Sequence, residues 1–138
     1  MASGLRDLRV WHEAVTTAAE VAKACRKAAR PDTRQLTDLV TRCAANVAVS
    51  IARAQARGSP ASQRDALLPA LEGVAALETG LAIARHAELL PAAACAELTN
   101  RATSVGRMLT GYLGYLDRVA EADARSAAIA GAPQAESN

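Results

Sequence analysis

Phenylalanine is missing from this chain altogether, and one tryptophan and two tyrosines are its only aromatic residues. Reading single-stranded bases one by one relies on aromatic rings as stacking platforms, so that mode of nucleic-acid binding is not expected. Metal-site patterns are equally scarce. The two histidines, His12 and His86, have no ligand companion three or four residues away, and the three cysteines, Cys25, Cys43 and Cys95, show no CxxC spacing. No GxSxG elbow, P-loop or glycine-rich phosphate cradle occurs. No catalytic, cofactor-binding or metal-binding residue is therefore assigned, and enzymatic activity is not expected. No window approaches the ~20 apolar residues of a membrane span, and the opening MASGLRDLRVW lacks the apolar run of a signal peptide. A cytoplasmic protein without membrane contact is the expectation.

What is present is alanine, about a quarter of the 138 residues, far above average usage. Alanine loses no side-chain entropy in a helix and is the best helix former. It also buries little area, so an alanine core gains less per residue than a leucine core, and burial against other subunits becomes attractive. The length suits one domain. The formal net charge of +2 is unevenly spread: through Gly58 ten Lys/Arg face five Asp/Glu, a net +5, and the remainder has six against nine, a net −3. A basic first half hints at a polyanionic partner.

Helical periodicity divides the chain into four segments. The first runs from about Asp7, a plausible cap, to Ala29, with an inward stripe of Leu8, Trp11, Val15, Ala18, Ala22, Cys25 and Ala29. After the breaker RPDTR, a second spans roughly Thr33 to Arg57 and turns Leu36, Val40, Cys43, Val47, Ile51 and Ala54 inward. A third runs from about Ala61 to His86 over Leu67, Leu71, Val74, Leu81 and Ala84, and Pro69 within it predicts a kink or a late start. The fourth follows Pro91 with Leu98, Ala102, Val105, Leu109, Tyr112, Leu116 and Val119. Short connections predict an all-α, antiparallel up-down-up-down four-helix bundle over residues 1–122. Residues 123–138 lose the stripe and are expected to form a disordered tail.

Two sets of charged residues stand out. Arg42 and Arg53 nearly eclipse each other at about 100° per residue, with Arg57 a little further round, and they are read as the border of the buried stripe. A solvated edge, a strip that contacts phosphate through bidentate guanidinium groups, and ion pairing between subunits all fit them. Glu78 falls on the inward stripe of the third helix, where a carboxylate needs a partner; Arg107 or Arg101 would supply it, within the bundle or across subunits. Glu78 and Arg107 are thus a candidate structural ion pair. The cysteines fit as small apolar residues.

The stretches DLRVW (7–11), SIARAQAR (50–57), LEGVAALET (71–79) and VGRMLTGYL (105–113) together resemble the small bacterial four-helix-bundle proteins known as 23S ribosomal RNA intervening-sequence proteins. Two places depart from the family pattern. Arg53 and Ala54 stand where an acid and a glycine are usual, and Glu72-Gly73 replaces a Gly-Ser pair. Arg57, Leu77, Glu78, Gly106 and Arg107 match. The resemblance implies an up-down bundle that assembles as a ring-like homopentamer without known enzymatic activity. A distantly similar branch, the accessory variability proteins of retroelements, implies a basic barrel that binds reverse transcriptase and nucleic acid. The expected function is a non-enzymatic homo-oligomer that binds structured RNA, or a reverse-transcriptase-like nucleoprotein, through Arg42, Arg53 and Arg57. The alternative is a protein-interaction scaffold that uses the acidic second half and binds no nucleic acid.

Overall fold

The computed structural model describes residues 4–136. Four α-helices, α1 (Arg9–Ala28), α2 (Arg34–Gln55), α3 (Pro60–His86) and α4 (Ala92–Glu136), follow one another, with single 3-10 turns at Leu5–Asp7 and Pro31–Thr33 and no strand among the described residues. Register shows how they run. Gly73 of α3 faces Val47 of α2 while Gly80 faces Val40, so residue numbers rise along one helix as they fall along the other. Likewise Arg64 of α3 bonds Asp117 of α4, and Val74 faces Gly106. Both pairs are antiparallel. α1 packs on α2 and α4, and α3 packs on the same two helices, so α1 and α3 occupy opposite corners of the square.

The core forms two clusters along the bundle. One centres on Ile51, Leu67, Val105 and Leu109, the other on Val21, Val40, Leu77 and Leu81. Where Ala14, Ala44 and Ala102 meet Val47, Val74 and Leu77, a void of only about 10 Å³ remains, room for a single water at most. Small side chains here draw the helices together without leaving a ligand-sized hole.

The second and third segments form helices close to the expected bounds, the fourth starts as expected after Pro91 but runs longer, and all three stripes are largely the buried ones. The first is corrected. Leu8, with no side-chain bond, occupies the cap position assigned to Asp7, which belongs instead to the preceding 3-10 turn. Val10, Ala14, Thr17, Val21 and Cys25 are buried, and Val15 is exposed. Two neighbouring stripes of α1 are apolar, and packing selects the one that includes a threonine. Thr17 can be buried because its hydroxyl donates to the Glu13 carbonyl at 2.8 Å, which removes the cost of an unpaired polar group.

Helix α3 starts early, at Pro60, and passes through Pro69 unbroken. Ser59 caps it by accepting from the Ser62 N–H at 3.2 Å. Contrary to the composition-based expectation, α3 is also long and apolar enough to cross a membrane, with an 18-residue window of mean hydropathy 1.5. α4 continues as helix through Glu136, across residues expected to be disordered. Alanine-rich sequence sustains a helix by propensity alone, although residues 121–131 are all exposed and bury nothing. Residues 137 and 138 of the expected tail lie outside the described residues.

The α3–α4 turn holds the only left-handed non-glycine residue among those described, Glu88 with φ 59°. It stands just past the end of α3, and the Leu89 N–H behind it closes on the Ala84 carbonyl at 2.8 Å, a position where glycine avoids the steric cost of a Cβ. Glu88→Gly should raise the unfolding free energy by about 1 kcal/mol. The urea midpoint would read this, and a lowered midpoint would contradict it.

Candidate interaction surfaces

The arginines singled out in the sequence do not border the core. The buried face of α2 is Thr37, Val40, Ala44, Val47, Ala48, Ile51 and Ala54, and Arg42 and Arg53 lie on the opposite, exposed side with Asn46 and Val49. The displacement follows from the core settling on Ala44 and Ala48 while Cys43 stays half-buried. Eleven residues separate the two arginines, about 16 Å along the helix. Arg57 lies beyond the helix in the turn to α3, where its carbonyl accepts from Gln63 Nε2 at 3.0 Å. None of the three has a carboxylate within ion-pair distance among the described residues, whereas Arg64 is held by Asp117 and Asp65. Those two carboxylates push the Arg64 guanidinium further above its ordinary range, Asp117 contributing most.

Glu78 and Arg107 do come together, but not as an ion pair. Both line an open groove of about 490 Å³ between α3 and α4, with Leu71, Val74, Thr103 and Gly106, and no ion pair joins them among the described residues. Arg101, the other candidate partner, reaches Glu97 at 3.7 Å on its own helix. Glu78 is half-buried at an outer groove instead of lying in the core.

The face beside that groove was missed in the sequence. The outward side of α3 carries Leu68, Ala75, Ala76, Thr79 and Ile83, all exposed, with Leu68 at 40% and Ile83 at 45%, and one exposed carboxylate, Glu72, among them. The high hydropathy of residues 66–83 is the signal that could have found it.

The histidines are held locally. His86 Nδ1 donates to the Ala82 carbonyl at 2.9 Å, and His12 Nε2 bonds the Arg6 carbonyl. Burial raises the thiol pKa of both Cys25 and Cys95, which keeps them protonated and unreactive. No group of three or more His, Cys, Asp or Glu side chains that could hold a metal ion is found among the described residues.

The described residues thus form a helical bundle with exposed arginines on α2 and an exposed, largely apolar face on α3. The model of the 23S rRNA-intervening sequence protein family matches residues 6–111, and the chain belongs to that family. No curated protein matches it.

Proposed function

We propose that this protein is a non-enzymatic homo-oligomer, a pentamer by resemblance, that binds structured RNA through exposed arginines, Arg42, Arg53 and Arg57 among them. The observation that carries the reading is the division of its surface. The outer face of α3 is almost uncharged over residues 73–84, while the arginines of α2 stand free of carboxylates. Apolar surface of this kind marks an association site. Ala75, Ala76 and Thr79 beside Ile83 present small side chains that let another helix approach closely, and Glu72 charges the Leu68 end of the face. Glu78 and Arg107, each without an ion-pair partner among the described residues, offer opposite charges that a second copy matches. RNA as the partner is supported by the family's name and by the basic first half of the chain.

Light scattering of the purified protein, with the 260/280 nm absorbance ratio of the same peak, tests both parts. The expected result is an oligomer carrying excess 260 nm absorbance, which Leu68→Glu combined with Ile83→Glu converts to a folded monomer. A monomeric wild-type protein would overturn the assembly, and recruitment of that monomer to lipid vesicles would assign the α3 face to a bilayer instead. A clean protein ratio together with no affinity for added RNA would leave the scaffold reading in its place.

A further inference from the structure

We propose that the corner joining α1 to α2 is the element that grips the phosphate backbone of double-stranded RNA. The inference rests on the RNA-binding reading above and places its principal contacts on Arg26, Lys27, Arg30 and Arg34. These four cations fall within nine residues and all are exposed. Among the described residues only Arg30 of the four has a carboxylate within ion-pair distance, Asp32 at 3.5 Å, and both groups are largely solvated, so the pair is weak and easily exchanged.

Two grooves flank the corner. Arg26 and Lys27, with Lys23, line one of about 690 Å³ that also holds Glu20 and Glu97, and Arg30 and Arg34 line the other, of about 520 Å³, with Asp38; cations outnumber carboxylates in both. The corner is therefore a ridge with cations on both flanks. A-form RNA presents two phosphate rails either side of a wide, shallow minor groove, which such a ridge can straddle; an extended acidic peptide presents one. Arginine, three of the four, meets phosphate bidentately. The α2 face spreads Arg42 and Arg53 about 16 Å apart, a sparser grip.

Folding explains part of this cluster but not all of it. Arg26 and Lys27 occupy the last turn of α1, where the negative end of the helix favours cations. Arg34 is the first residue of α2, at the positive end, in a first turn that holds no acid. There a cation opposes the helix dipole, offset by Asp38 one turn on, so folding gives Arg34 little net reason for its place. Position agrees as well. α1 stands at the corner of the bundle opposite α3, so copies joined through α3 leave this element facing outward.

The test is fluorescence anisotropy of the full-length protein with a labelled RNA hairpin whose stem is about two helical turns long. The combined variant Arg26→Ala, Lys27→Ala and Arg34→Ala should weaken binding on the order of a hundredfold near physiological salt and flatten the slope of log affinity against log salt by about three. Arg42→Ala with Arg53→Ala should cost far less. Arg34→Gln alone should weaken binding without lowering Tm, a combination that a purely structural role would not produce. If the wild type binds the hairpin and the corner variant binds equally well, the corner is not the site and the RNA reading survives. If the wild type binds no RNA, both fall. If poly-glutamate of matched charge binds as tightly as the hairpin, the assignment to duplex RNA is overturned.

Discussion

Leu109→Ala should lower the unfolding free energy by about 2–5 kcal/mol, the range for a buried leucine truncated in a packed core. Leu109 is 0% exposed and packs in the cluster that holds Ile51 and Leu67. The magnitude matters because the core is thin. Among its largest fully buried side chains only Ile51, Leu67, Leu77, Leu81 and Leu109 are bigger than valine. Alanines elsewhere in the core bury too little to compensate. Against a total stability of about 5–15 kcal/mol, the loss takes a large share. Denaturant unfolding with an unchanged slope would measure it. Ile129→Ala supplies the contrast: Ile129 is 72% exposed on the free end of α4, and its loss should stay within about 0.5 kcal/mol. A comparable loss from both substitutions would mean that the end of α4 is packed against something, and the neighbouring copy would then be the first place to look.

The same thinness explains why some of the fold was legible in the sequence and some was not. α4 has one apolar stripe, from Leu98 through Leu109 to Leu116, and no competing one, so its inward face follows from periodicity. α1 offers two. Leu8, Trp11 and Val15 form the larger stripe by side-chain volume, yet Val10, Ala14, Thr17 and Val21 are buried. Volume points the wrong way where tight helix approach rewards small residues, and a threonine hydroxyl satisfied by its own helix is indistinguishable from an apolar group. Thr37 does the same in α2, donating to the Arg34 carbonyl at 3.0 Å. The arginines were misplaced for a related reason, since the centre of the α2 face lies on Ala44 and Ala48 instead of the more hydrophobic Cys43.

The charged pair is met in placement but not in bonding within the chain. Glu78 and Arg107 are neighbours at one groove without bonding each other. Spacing along two helices brings them to the same groove, but side-chain pairing depends on what else occupies it. A groove shared by opposite charges beside the apolar α3 face is left by the way two helices pack, which the periodicity of either helix alone does not carry.

Gly80→Leu should destabilise the protein by about 3 kcal/mol, at the upper end of what overpacking costs. A Cβ built on Gly80 would lie 3.4 Å from Val40 Cγ2 and 3.9 Å from Val40 Cα. One methyl group is therefore tolerated, and anything longer must drive into α2. Gly80→Ala separates the two effects: it gains about 0.8–1 kcal/mol of helix propensity at an ordinary contact distance and should be neutral or slightly stabilising. At Gly73 the corresponding Cβ would approach Val47 Cγ2 at 3.2 Å, so alanine there must displace the valine and should forfeit that gain. Gly111 has no atom within 4 Å of such a Cβ, and Gly111→Ala should show the propensity gain alone. Urea unfolding of the series orders these effects, and a Val40→Ala partner should recover part of the Gly80→Leu loss, giving a coupling of about 1 kcal/mol or more. Additive losses would mean that α2 and α3 separate to admit the leucine, and that the close approach enforced by these glycines is not what fixes the bundle's register.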